Sequence, residues 1–302
     1  MTAEAVARFE DLRRTLYRLR RSVLSLVGLG IVLSLIFIAI FAPYIAPYPE
    51  DWGAVHFERA FEPPSLAHPF GTDEVGRDVL SRVIYGTGIS LTLGFVVLIV
   101  ALLIGVSLGL IAGYMGGWVN TVIMRVTDIF LSIPDVVLAL AFSAVLPAFE
   151  QNPFFKEIVG RWPWSISIIA ITLAWWPWYT RLVQGLVLSI KEETFVEASR
   201  AAGASPLYIA FKEILPNCLS ILIVKVTLDI GYAILAGTVL GFLGMGVRPP
   251  IPEWGTMTSS GRLHLPARWW LTTFPGLAIF VTVLGFNLLG DGLRDAFDVE
   301  LE

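Results

Sequence analysis

The sequence predicts an all-α polytopic membrane protein with about six transmembrane helices, on three observations. Of its 302 residues, 56% are apolar and only 15% are charged. A soluble domain, whose surface must face water, carries about 25% charged residues. The mean hydropathy is +0.74, and long stretches hold no Asp, Glu, Lys or Arg, the longest being 83–124. Too few charges are present to cover a soluble globule of this size, which excludes disorder, a secreted disulfide scaffold and most cytosolic enzymes. The single cysteine, Cys218, can form no internal disulfide. A net charge of −4 gives no reason to expect nucleic acid as a partner.

A bilayer crossing needs roughly 20 mostly apolar residues. Residues 1–21 read as a cytoplasmic tail, because Arg8, Arg13, Arg14, Arg18, Arg20 and Arg21 lie there. Residues 22–46 form the first transmembrane helix; the apolar run is too long for a signal peptide, and no A-x-A-like cleavage site follows it. The segment 47–86 falls outside the cell. A five-helix core then spans 87–295 and contains a cytoplasmic loop, 189–216. Its crossings are expected in 83–124 (broken near its end by the glycines of 113–117), 119–146, 162–180, 230–247 and 269–290. Six crossings return the C-terminal tail, 296–302, to the cytoplasm. They place 149–164 and 247–270 outside with 47–86, and 113–119 inside with 189–216.

Lipid offers no hydrophobic force between helices, so close packing depends on small residues. Gly105, Gly109 and Gly113 recur every four positions on one helix face, and Gly237 and Gly241 repeat the device in the fifth span. Ionisable residues within the bilayer cost about 2.5–3.5 kcal/mol each on insertion scales. Arg125 with Asp128, and Lys225 with Asp229, have the spacing of self-neutralising pairs on one face; lining a substrate path is the alternative. Trp175, Trp176, Trp178 and Tyr179 favour interface anchoring or core packing over substrate stacking.

The loop 189–216 reads SIKEETFVEASRAAGASPLYIAFKEILP. Helix formers run from Lys191 to Ala202, with acidic residues in the first turn where the helix dipole favours them. Gly203 stands where a helix ends in the left-handed conformation. Ser205 and Pro206 then supply an N-cap and a first-turn proline for a second helix. That helix carries an apolar stripe of Leu207, Ala210, Phe211, Ile214 and Leu215, and Pro216 is expected to stop it. The small residues Ala198, Ser199, Ala201, Ala202 and Ala204 crowd the turn, a surface over which another protein's cleft can close.

Glu197-Ala198-Ser199-x3-Gly203, followed by Ile214-Leu215-Pro216, resembles the EAA loop of binding-protein-dependent ABC import permeases. Two further segments are similar to the second permease subunit of dipeptide, oligopeptide and nickel importers: His68–Arg82 (HPFGTDEVGRDVLSR) and Phe286–Asp295 (FNLLGDGLRD). The departures are Ser199 in place of the second alanine, Gln184 where a basic residue is common, and Asp298-Val299 in place of Asp-Pro. The resemblance implies the type I ABC importer permease fold and an inner-membrane location. It also implies a homologous permease subunit, two cytoplasmic ATPase subunits, an extracytoplasmic substrate-binding protein and surrounding lipid as partners. Coupling to the ATPases would fall to Glu197, Ala198, Gly203, Ser205, Leu215 and Pro216.

No lysine follows a glycine, so the phosphate-cradling Gly-Lys-Ser/Thr loop is missing. ATP and Mg would therefore be bound by partner subunits, with no cofactor, metal or catalytic residue in this chain. His56, His68 and His264 lack ligand spacing. The expected function is a permease subunit importing peptides or a similar small solute. An ion-gradient-driven secondary transporter is the alternative, and it would call for an internal repeat with broken helices.

Overall fold

Among the residues described by the computed structural model, 22–297, four helices are long and apolar enough to cross a bilayer. They are α1 (Val23–Ile45), α2 (Val79–Met115), α8 (Pro206–Phe242) and α10, which runs from Trp270 to Phe297. Two bent pairs bring the crossings to six if each pair counts as one. The first joins α3 (Gly117–Leu131) to α4 (Asp135–Val145) at 91°. The second joins α5 (Pro153–Arg161) to α6 (Ser165–Ile190) at 105°. Two short helices, α7 (Thr194–Ala201) and α9 (Trp254–Arg262), complete the set. The arginine-rich tail that sets the expected orientation, and the Asp298-Val299 departure, lie outside the described residues.

The glycine pattern explains the central packing. Gly105, Gly109 and Gly113 of α2 lie against the α6 backbone: a Cβ on Gly109 would come within 2.7 Å of Val183 Cβ and 2.8 Å of the Thr180 carbonyl. Gly237 of α8 is pressed against Leu93 of α2. Helix α1 rests on α10 by the same means, Gly28 lying against the Gly285 carbonyl and the Leu289 amide. Between α2 and α3 the chain reverses at Gly116 and Gly117, both at positive φ (64° and 53°).

Two expectations are corrected here. The span 119–146 is not one helix: Pro134 has no N–H to donate and disfavours helical backbone at Ile133, so the chain turns sharply before restarting at Asp135. Asp128 does not pair with Arg125; its carboxylate meets Arg181 of α6, a partner from another helix that spacing along one helix could not reveal. The second pair holds, with Lys225 Nζ 2.6 Å from Asp229 Oδ1. Trp175, Trp176 and Tyr179 are buried in the bundle, whereas Trp178 is exposed.

The segment 47–86 is a folded layer built on buried charge. The Asp78 carboxylate caps α2, accepting from Ser81 N (2.7 Å) and Ser81 Oγ (2.8 Å), and sits 3.0 Å from His68 Nδ1. Asp51 accepts from Arg59 Nη2 at 2.9 Å and from the Asp78 amide at 2.7 Å. Asp73 accepts from Arg77 Nε at 2.7 Å. Gly71 and Gly76, at φ +71° and +81°, make the tight reversals that close this network. The layer is pinned to the region around 249–270. Arg82 Nη1 donates to the Trp52 and Pro250 carbonyls, Trp254 Nε1 to Val83 O, and Trp270 Nε1 to Thr72 O. Arg248 bonds to Glu150 at 3.1 Å. The three segments expected on one side of the membrane thus meet at one end of the bundle.

Candidate functional site

At the opposite end lies the loop whose spacing drew attention in the sequence. Its first helix is shorter than expected. Lys191–Glu193 form a turn, and α7 begins at Thr194 with Glu197 in its first turn. Its C-terminus closes as a Schellman motif: the Ala204 amide donates to Ser199 O and the Gly203 amide to Arg200 O, both at 3.1 Å. Gly203 has φ +81°, and a Cβ there would meet nothing within 4 Å. The glycine is therefore required by backbone conformation rather than by space. Ser205 caps the next helix, its hydroxyl accepting from the Tyr208 amide at 3.3 Å, with Pro206 in the first turn.

Pro216 does not stop this second helix. After Pro206–Tyr208 the helix widens into a π segment over Ile209–Ile214, the Leu215 amide reaching back to Ala210 O, and then continues unbroken as the α-helix Leu215–Phe242. Pro216 has no N–H for the Lys212 carbonyl, and its ring would crowd that oxygen in a regular helix; the wider turn just ahead accommodates it. The second loop helix and the fifth crossing are one rod.

The six residues singled out divide into two groups. Glu197, Ala198, Gly203 and Ser205 are exposed around the turn, together with Ala201, Ala202, Leu207 and Tyr208. Leu215 and Pro216 are half-buried beyond the π segment and present no part of that surface. Of the residues that root the loop most deeply, sequence reasoning named only Ile214, on its apolar stripe. Val196, Ile209, Ile214 and Cys218 are fully buried and pack into one cluster with Leu110 of α2 and with Val183 and Val187 of α6. Ser199 Oγ donates to Glu213 Oε1 at 2.6 Å, tying α7 to the π segment. Val196, the lone apolar residue between Phe195 and Glu197 on the inward face, was the available signal. Gln184, the noted departure, lies just beneath and donates from Nε2 to Asn120 Oδ1 at 3.2 Å.

The arrangement offers an outward surface of small side chains and an inward face locked to two crossings. That inward face shares one buried cluster with α2, α6 and α8. Among the described residues, no group of three or more His, Cys, Asp or Glu side chains is placed to hold a metal ion.

The sequence is similar to those of known transport proteins. A family model described as the binding-protein-dependent transport system inner membrane component matches residues 105–301. A model of the N-terminal transmembrane domain of oligopeptide transport permease C matches residues 12–64. A dipeptide transport system permease protein of Alkalihalophilus pseudofirmus is 41% identical over 96% of this chain and 90% of its own length. A probable D,D-dipeptide transport system permease protein of Escherichia coli is 40% identical, over 94% of this chain and 90% of its own. A glutathione transport system permease protein of Pectobacterium atrosepticum is also 40% identical, over 94% and 89%.

Proposed function

The chain belongs to the family of binding-protein-dependent transport system inner membrane components, and from that premise we propose that it carries short peptides and takes its drive through the loop 189–216. It is a multi-pass, non-catalytic permease subunit of an ABC importer, which sets aside the ion-gradient-driven alternative. Dipeptides and glutathione, named for the relatives, are peptides with free termini; the cargo of this chain is of that class.

The observation that carries the coupling role is the Schellman turn at Gly203, with its exposed small side chains above a core shared with α2 and α6. Two cytoplasmic ATPase subunits, one on this loop and one on that of a homologous permease subunit, hold ATP and Mg and close on ATP binding. Closure draws the two loops together and favours the outward-facing arrangement; hydrolysis releases them. This is a two-state switch in which the ATPases contact each state differently. Glu197, Ala198, Gly203 and Ser205 form the docking surface, while Leu215 and Pro216 transmit through the π segment into α8. The loop end and both chain termini are cytoplasmic, and the layer 47–86 faces an extracytoplasmic binding protein.

The test is uptake of a labelled dipeptide by vesicles holding the complete assembly. Uptake that requires ATP and persists without an ion gradient supports the reading. Uptake driven by a gradient alone overturns it.

A further inference from the structure

Between α4, α6 and α8 a cleft of about 280 Å3 opens, near the lower bound of about 300 Å3 for small-molecule sites. Three charged side chains line it, Asp135, Lys225 and Asp229, together with Trp178, Tyr179 and Tyr232. These charges lie on membrane-spanning helices or at the kink between them, where an ionisable group facing lipid is costly and a water-filled path is the usual reason for one.

The charges are not simply cancelled. Both oxygens of the buried Asp229 are taken: Oδ1 by Lys225 Nζ and Oδ2 by the Tyr179 hydroxyl, each at 2.6 Å. An ammonium has three donors, so Lys225, a third of whose side chain is exposed, keeps donors free for the cleft. Asp135 accepts from the Val136 amide at 2.8 Å and has no cation within ion-pair distance among the described residues. One wall thus presents surplus donors held rigidly by Asp229 and Tyr179, and another presents an uncompensated carboxylate. Trp178 and Tyr232 are exposed between them.

We propose that this cleft is a cargo station on the translocation path for a short zwitterionic peptide. Lys225 takes the peptide carboxylate, Asp135 its ammonium group, and Trp178 and Tyr232 give sequence-tolerant contact to side chains. The proposal rests on the reading of the chain as a peptide permease. A site that reads only the two termini suits cargo whose side chains vary.

The test uses the whole importer, reconstituted with its binding protein and a dipeptide bearing a benzophenone side chain, irradiated during turnover. Label on this chain is mapped by mass spectrometry and compared at equal amounts of assembled complex. The expected result is label within α6 or α8 around Trp178 and Tyr232. It should fall roughly tenfold in Lys225→Gln and in Asp135→Asn, the loss of one charge-assisted hydrogen bond, and recover in Asp135→Glu. Asp135→Asn leaves the Lys225–Asp229 pair whole, so it remains informative if Lys225→Gln does not assemble. Label elsewhere, or undiminished in both variants, overturns the site alone. If the wild-type importer takes up no dipeptide with ATP and binding protein present, the peptide reading fails and the site's ligand fails with it.

Discussion

Ser199 and Glu213 stand on opposite sides of the Gly203 turn, and the serine hydroxyl donates to the carboxylate at 2.6 Å. The bond ties α7 to the π segment that opens α8, and in the proposed coupling role it keeps the turn between them from acting as a flexible elbow. Ser199→Ala removes it and leaves the half-buried Glu213 without that donor. The expected outcome is a loss of about 1 kcal/mol, with more ATP hydrolysed per peptide carried. Simultaneous ATPase and uptake assays in vesicles read that ratio.

Gly203→Val places a β-branched residue at φ +81°, where the cost is conformational because nothing stands within 4 Å. A left-handed L-residue costs about 1–2 kcal/mol, and Asn tolerates the region better than most. Valine is therefore expected to let the subunit insert and assemble while uptake falls far below ATP hydrolysis. Asparagine should restore most of the coupling.

Gly109→Val drives a side chain into Val183 and the Thr180 carbonyl across the α2–α6 contact. Overpacking of this kind costs about 1–3 kcal/mol. The thermal midpoint of the purified complex should drop by several degrees. Gly30→Ala, in α1 with nothing within 4 Å, should leave it unchanged or slightly raised.

Glu253 is buried beside Gly241, which leaves room for its carboxyl, and it caps α9 by accepting from the Gly255 and Thr256 amides at 2.7 and 2.8 Å. Burial pushes its pKa up from 4.5 to about 7, the two amide bonds opposing the shift. The folded state therefore binds this proton more tightly than the unfolded chain does. Its contribution to stability is full below about pH 4.5 and is lost as the pH rises through about 7. Glu253→Gln keeps a cap acceptor without the titration. The gap between the two melting curves should close or reverse from low to neutral pH.

What could be read from the sequence was whatever has a local cause. Glycines four apart announced a closely packed face on α2, though not that α6 would fill it, and Gly203 followed by Ser205-Pro206 announced a left-handed stop and a new start, because φ and capping depend on neighbours in the chain. The Lys225–Asp229 pair was legible for the same reason. Contacts between distant segments were not. Asp128 finds Arg181 rather than the nearer Arg125, and the layer 47–86 finds Trp254 and Trp270, through packing that leaves no periodic trace. Pro216 misled because a proline after a helical run usually ends it, whereas a π turn here carries the helix past it. The buried root of the loop, Val196 and Ile209 against Leu110 and Val183, was hidden because four separate helices contribute to it.

The most direct measurement is cysteine cross-linking between this chain and the ATPase subunits in inverted membrane vesicles. The native Cys218 is buried, so introduced thiols at Ala202, exposed beside the Gly203 turn, and at Leu66, exposed in the opposite layer, can be compared on the otherwise unchanged chain. The account predicts that Ala202→Cys cross-links to an ATPase subunit, more strongly with ATP bound, and that Leu66→Cys does not. Cross-linking at Leu66 with none at Ala202 would contradict it.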